Sequence, residues 1–144
     1  MADVISAIIT TLAADSPVAA LVSTRIYPDQ LPQGDPRRPG PAKLPAVRVQ
    51  AVTGGSVHHM SSASGLASLI VDVDSYSLTR AGATALEDAV RLALDRYVGT
   101  VASVRIDQII SGDRRDNYEP PADSSDVGAY VSGRTYTIWH RESV

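Results

Sequence analysis

The sequence predicts one α+β domain over residues 1–144, with a small antiparallel or mixed sheet of about four or five strands packed against one long helix and a short N-terminal helical lid. A chain of 144 residues, 44% of them hydrophobic, is long enough to bury a single core. Segments with a two-residue hydrophobic period also alternate with segments of helical period. The longest helical segment, residues 80–98, would extend about 28 Å and cover one face of such a sheet.

Two helices are predicted near the N-terminus. Asp3 can cap the first, whose apolar residues follow at helical spacing until about Ala14. Ser16 and Pro17 then supply a second cap with proline at the first helical position, so residues 18–22 should form one or two turns. Together these helices make up the predicted lid.

The long helix is the most regular predicted element. Thr79 can cap its start, and Gly99 can end it. Its inner face is apolar, whereas Glu87 is assigned to the outer face with the other charged residues of the segment.

Alternating apolar residues predict the strands. The first two should pair as an antiparallel hairpin after a short extended piece at residues 25–28. The predicted strands cover residues 46–53, 66–76, 104–111 and 129–140. The predicted loops are a Pro-rich surface loop at 28–45, a hairpin-tip loop at 54–65 and a charged loop at 112–128.

The last predicted strand has no evident solvent face. One face carries Val131, Thr135, Thr137 and Trp139, and the other carries Tyr130, Arg134, Tyr136, Ile138 and His140. Two alternatives explain this pattern. Either Tyr130, Tyr136 and Ile138 form an apolar stripe that another subunit covers, or the strand is covered on both faces within its own chain.

Composition argues against several classes of function. The formal net charge of −3 and the pI near 5.5 provide no overall field that would attract a nucleic acid. The absence of cysteine excludes disulfides and thiolate chemistry. No segment has the run of about 18–20 apolar residues that a membrane span needs, and the start of the chain lacks the basic residues of a secretion signal, so a soluble protein made in the cytoplasm is expected.

Candidate catalytic and metal-binding residues are few. His58 and His59 are adjacent, so on an extended chain they point to opposite sides and cannot easily share a metal ion. Asp72 and Asp74 lie on one face of a strand, as paired catalytic carboxylates might, but that spacing is also typical of a solvated strand face. We therefore predict no catalytic, cofactor or metal site, and no enzyme activity.

The charged loop holds Arg114 and Arg115 between Asp113 and Asp116. The flanking acids cancel the local positive field, so phosphate binding is not favoured. A mixed-sign loop suits protein contacts and a solvated turn about equally. Our interpretation is that Arg114 and Arg115 lie at an interface.

A series of short segments follows in a characteristic order along nearly the whole chain. They are Leu-Val at 21–22, Arg-Ile-Tyr-Pro at 25–28, Leu-Pro-Ala-Val at 44–47, Gly-Leu-Ala at 65–67, Val-Asp-Val at 71–73, the helix running to Tyr97 and Gly99, Asp-Arg-Arg-Asp-Asn-Tyr-Glu at 113–119, and Trp-His-Arg-Glu at 139–142. This series resembles the tail-completion proteins of long-tailed phages, which are grouped with the tail terminators of siphophages.

The resemblance implies a structural virion protein at the head-to-tail junction. It would form a ring, usually of six identical subunits, that caps the tail tube and meets the head-completion or connector proteins, while genome DNA passes through the lumen without sequence-specific binding. The alternative is a small prophage or cellular enzyme or adaptor on a similar scaffold. Candidate subunit-interface residues are Asp113, Arg114, Arg115, Asp116, Tyr118, Tyr130, Arg134, Tyr136 and Ile138, and candidate contacts to other virion proteins are Arg37, Arg38, His58 and His59.

Overall fold

The computed structural model describes residues 3–29, 34–35, 38–39, 44–59, 62–95, 97–120 and 128–141. Three helices occur in these ranges: α1 (Val4–Ala14), α2 (Ser16–Val22) and α3 (Arg80–Leu94). The strands are β1 (Ile26–Pro28), β2 (Gly34–Asp35), β3 (Arg38–Pro39), β4 (Ala46–His59), β5 (Ser62–Ser77), β6 (Gly99–Val101), β7 (Val104–Glu119) and β8 (Ala129–Arg141).

Six of the strands form one mixed sheet in the order β1-β4-β5-β8-β7-β6. Strand β1 runs parallel to β4, and every other neighbouring pair is antiparallel. The α+β class is therefore confirmed, but the predicted sheet of four or five strands is too small. The additional strand is β6, whose three residues are too few to show a periodic pattern.

The helices pack on one face of the sheet and enclose the hydrophobic core of the described residues. Val71 of β5 and Tyr136 of β8 are register partners, so their side chains point to the same side. Both are fully buried in the cluster that also contains Ile8 and Leu12 of α1 and Leu86 of α3. The prediction of one long helix with a small lid understates α1, which has 11 residues against the 15 of α3.

The helix starts follow local capping rules. Asp3 accepts a hydrogen bond from the Ile5 amide at 3.0 Å, and Thr79 accepts one from the Gly82 amide at 3.0 Å, as predicted. The cap of α2 is Asp15 instead of Ser16, because the Asp15 carboxylate accepts from the Val18 amide. No single described helix is long and apolar enough to cross a membrane; α1 and α2 meet that test only as a pair, bent by 89°.

Three boundaries differ from the prediction. Helix α3 ends at Leu94, and Gly99 begins β6 instead of terminating the helix. Strands β4 and β5 occupy most of the predicted hairpin tip at 54–65. Strand β7 continues through residues 112–119, where a charged loop was predicted, while residues 121–127 lie outside the described ranges. Of the predicted Pro-rich loop at 28–45, the middle is described only as the β2–β3 pair.

Candidate protein-docking site

The charged residues singled out in the sequence lie on the distal half of the β7–β8 hairpin, where the two strands are in antiparallel register. The register pairs Arg114 with Arg134 and Tyr118 with Tyr130. Successive side chains of a strand point to opposite faces, so Arg114 lies on the face covered by α3 and Arg115 on the open face. The two arginines therefore belong to different clusters.

On the helix-covered face, a buried carboxylate joins α3 to the hairpin. The Glu87 side chain is 1% exposed, and its Oε1 lies 2.6 Å from Arg134 Nε. Arg114 Nη1 approaches Glu87 Oε2 at 3.7 Å. The hydrogen bond to Glu87 is the main cause that raises the pKa of Arg134 above its ordinary value. The assignment of Glu87 to the outer helix face was wrong.

Asp116 also accepts hydrogen bonds on this face. The Ser132 hydroxyl donates to Asp116 Oδ1 at 2.7 Å, and Arg114 Nε donates to the same oxygen at 3.1 Å. The hydrogen bond from Ser132 is the main cause that lowers the pKa of Asp116; partial burial opposes it and Arg114 adds to it. Ionised Asp116 is therefore more stable in the folded chain than in the unfolded chain.

Replacing Ser132 by alanine should raise the pKa of Asp116 towards its ordinary value, which titration by carboxyl-carbon NMR would measure. The stabilisation from Asp116 is complete above its unfolded pKa of about 3.9 and is lost as pH falls through the lower folded pKa. Because Asp116 is 47% exposed, the loss of stability at neutral pH should be about 1 kcal/mol or less. An unchanged pKa of Asp116 in Ser132→Ala would contradict this account.

On the open face, Arg115 meets two aspartates of β5. Its Nη2 lies 3.2 Å from Asp72 Oδ1 and 3.9 Å from Asp74 Oδ1, and its Nη1 donates to Thr135 Oγ1 at 2.8 Å. Arg48 of β4 binds the other oxygen of Asp74 at 2.5 Å. Asp72 and Asp74 do share a face, as predicted, but each is ion-paired with arginine at the edge of a recess of about 390 Å³.

Tyr76 completes this cluster. The Arg48 guanidinium lies 5.8 Å from the centre of its ring, within the range of a cation–π contact. Burial raises the pKa of the Tyr76 hydroxyl to about 12. The hydroxyl therefore stays protonated at neutral pH.

Gly133 makes room for the open-face cluster. A Cβ atom at this position would collide with Asp74 Oδ1. Gly133→Ala should therefore displace Asp74 and lower the free energy of unfolding by about 1–3 kcal/mol. Urea denaturation in a double-mutant cycle with Asp74→Ala measures the effect, because the collision is absent in that background. If Gly133→Ala lowered the free energy of unfolding equally in the two backgrounds, the proposed collision with Asp74 would be refuted.

An exposed aromatic pair lies at the end of the hairpin. The rings of Tyr118 and Tyr130 have centroids 4.9 Å apart and are tilted by 51°. Their exposed fractions are 49% and 36%, and they border a recess of about 300 Å³ that Arg80 and Thr84 of α3 also line. Exposed tyrosines beside a recess are typical of protein interfaces.

Tyr136 and Ile138 do not lie on the exposed surface formed by Tyr118 and Tyr130. Both side chains are fully buried in the core beneath the helices. The alternative of an intramolecular core therefore describes these two residues, and they offer no surface to a neighbour in this fold. Burial raises the pKa of Tyr136, whose hydroxyl has no hydrogen-bond partner in the described part of the chain.

The remaining candidates are scattered. Asp113 is exposed on β7. The backbone of Arg38 lies in β3 and that of His58 and His59 in β4, but their side chains and all of Arg37 fall outside the described residues. Within the described ranges, no group of three or more His, Asp or Glu residues could hold a metal ion.

The sequence did not reveal the partners of the arginines. Glu87 follows Ala83 by four residues and precedes Val90 by three, so it occupies the buried stripe of α3. This spacing was the signal in the sequence from which the burial of Glu87 could have been predicted. For the ion pair between Arg48 and Asp74, the only signal in the sequence was their opposite charge on neighbouring predicted strands.

The fold and the site define a class of protein: an α+β protein built on a six-stranded mixed sheet, with internally paired charges and an exposed pair of tyrosines at the end of one hairpin. Residues 6–128 match the family model described as tail completion protein gp17, so the chain belongs to that family. It is a structural protein of the phage-type virion tail.

Solved structures share the fold. A chain from the "Virion of native gene transfer agent (GTA) particle" is 19% identical in sequence, with a TM-score of 0.69 over 95% of this chain and 93% of that chain. In all, 18 chains of solved structures match. No curated protein sequence matches the chain.

Proposed function

We propose that the chain forms a ring of identical subunits that completes the tail tube and joins it to the head-side connector proteins. Membership of the tail-completion family, matched over residues 6–128, is the observation that carries this proposal. A ring of six is what the family resemblance implies, with the tail tube protein on one side and a connector or head-completion protein on the other.

The two unlike ends of the sheet support this proposal. Head-to-tail closure needs two different surfaces on each subunit. One end of the sheet carries β1 and β4, and the other carries β7 and β6. Because the two ends differ in sequence and charge, contact between unlike ends of successive copies can close a ring.

We place the first subunit contact on the distal β7–β8 hairpin. Asp113, Tyr118 and Tyr130 are exposed there, and the aromatic pair would supply the buried anchors of the interface. Arg114, Arg115, Asp116 and Arg134 lie beside them in ion pairs with their own chain, so their role is to hold this surface in place.

Replacing both Tyr118 and Tyr130 by alanine should weaken self-association by at least about tenfold, because aromatic anchors often contribute 2 kcal/mol or more. Sedimentation would measure the change, with Leu92→Ala, at an exposed α3 residue, as the control. Charge reversal at Arg114 and Arg115 is a poorer test, since it also breaks internal ion pairs. Unchanged self-association of the double variant would exclude the tyrosines as anchors.

The genome would pass through the ring without being bound. A net charge of −3 on each subunit supplies no strong positive field along the lumen. We further propose that the chain is not an enzyme: the carboxylates of Asp72 and Asp74, the most suggestive catalytic pair in the sequence, are held by Arg115 and Arg48.

Particles produced without this chain test the proposal. We expect tails of abnormal length or tails that do not join to heads, with restoration when the chain is supplied from a plasmid. Electron microscopy of the particles measures both properties. Normal-length tails correctly joined to heads in its absence would exclude a role in tail completion.

A further inference from the structure

Part of the outer edge of β4 is unpaired in the described part of the chain and carries no charged residues. Strand β1 pairs only with Val47–Val49, so residues 50–56 have β5 on one side and no second described strand on the other. Residues 51–57 are all exposed. Nevertheless, residues 49–71 contain no Asp, Glu, Lys or Arg, although one residue in five of the whole chain is charged.

This combination is unusual for a strand in contact with water. Exposed edge strands are normally protected by charged side chains, proline or irregular pairing. Here the sequence supplies Gly, Ser, Thr, Ala and Val, and two β-bulges are the only irregularities in the described pairing of β4 with β5. An uncharged edge that exposes its backbone is suited to pairing with another strand.

Among the described strands, β7 has the other long unpaired edge of the sheet. Strand β6 pairs only with residues 104–106, and no other described strand occupies the outer side of residues 107–119. At about 3.3 Å per residue this edge is roughly 40 Å long. Arg114 and Arg115, which could repel an incoming strand, are already neutralised by Glu87 and Asp72.

We propose that residues 53–56 of β4 in one copy pair with the β7 edge of the next copy, so that the sheet continues from subunit to subunit. This inference rests on the proposed ring. The two free edges lie at opposite ends of one sheet, so a single repeated contact uses both. In a closed ring every subunit uses both edges in the contact, and the uncharged β4 segment adds no like charge to the acidic β7 edge.

The bulges limit the register. They interrupt the pairing of β4 between Ala51 and Thr53 and between Ser56 and His58. In β7 they lie between Ile106 and Gln108 and between Ser111 and Arg114. The regular segments of the β7 edge are therefore residues 108–111 and 114–119. Residues 53–56 pair with one of these two segments.

Disulfide cross-linking tests the contact directly, because the chain has no native cysteine. Gly55→Cys is combined with either Gln108→Cys or Asn117→Cys, one in each regular segment, and oxidised after assembly. Disulfides form only when the two Cα atoms are about 4.4–6.8 Å apart. We expect a ladder of covalent multimers for one of the two combinations, and none for Gly55→Cys with Ala85→Cys on the outer face of α3.

The outcomes separate this inference from the proposed function. Rings that assemble without a cross-link in either combination would overturn the strand pairing while the ring remains. A wild-type protein that stays monomeric in solution and in particles would overturn both. Cross-linking of the Ala85 control to the same extent would show random collision and also overturn the pairing.

Gly55 permits a second, independent test. A Cβ at this position meets no atom within 4 Å, and Gly55 is not among the described residues with positive φ, so substitution should leave the monomer intact. Gly55→Glu places a charge on the proposed contact and should weaken self-association at least tenfold. Gly55→Ala and Ala85→Glu should behave as wild type. Full assembly of Gly55→Glu would contradict the inference.

Discussion

Glu87→Ala is expected to lower the free energy of unfolding by about 3–5 kcal/mol, because removing one partner of a buried ion pair leaves the other charge without compensation. The carboxylate is 1% exposed and lies 2.6 Å from Arg134. A loss of this size is a large part of the about 5–15 kcal/mol that stabilises a typical domain. Arg134 would lose its ion pair to α3, and Arg114 would keep only its hydrogen bond to Thr84 of that helix.

Asp88→Ala is the matched control for Glu87→Ala. Asp88 is the next residue of α3 and is exposed, so its loss should change the free energy of unfolding by no more than about 0.5 kcal/mol. Guanidinium denaturation followed by circular dichroism measures both variants. Equal stabilities of Glu87→Ala and Asp88→Ala would show that the buried pair contributes nothing.

Leu86→Ala is expected to cost about 2–5 kcal/mol, through lost burial and the cavity that remains. Leu86 is 1% exposed and belongs to the core cluster between α3 and the sheet. In a protein of this size each 1 kcal/mol lowers the melting temperature by about 2–4 °C or slightly more. The decrease should therefore be measurable by calorimetry.

Leu92→Ala makes the same chemical change on the same helix at a side chain that is 71% exposed. Its effect should lie within about 0.5 kcal/mol of zero. A similar loss in the two variants would mean that core packing does not determine the cost, since alanine has the higher helix propensity at both positions. The comparison removes propensity because leucine is replaced by alanine in both.

Local signals were sufficient for much of the fold. The Asp3 and Thr79 caps, the β4–β5 hairpin and the helical face of α3 depend on residues close together in sequence, and the structure confirms them. The distal part of β7 could not be predicted in this way. Its residues 112–119 are polar, and their strand conformation depends on pairing with β8 and on acids from α3 and β5.

The candidate site was predicted in part. The sequence drew attention to Arg114, Arg115 and the tyrosines, but not to the fact that adjacent arginines point to opposite faces of one strand. That division follows once residue 114 is known to be in a strand. Tyr136 and Ile138 lie in the core of the chain itself, which was one of the two alternatives that the pattern of the last strand left open. The pattern alone could not decide between them, because a face covered by another subunit would look the same.

The division of Arg114 and Arg115 between two faces also has a mechanical consequence. A force that pulls outward on β7 would load the ion pair to α3 through Arg114 and the ion pairs to β5 through Arg115. Peeling this strand away therefore requires both anchors to break together with the hydrogen bonds to β8. A protein built in this way can carry tension across its edge without losing its outermost long strand.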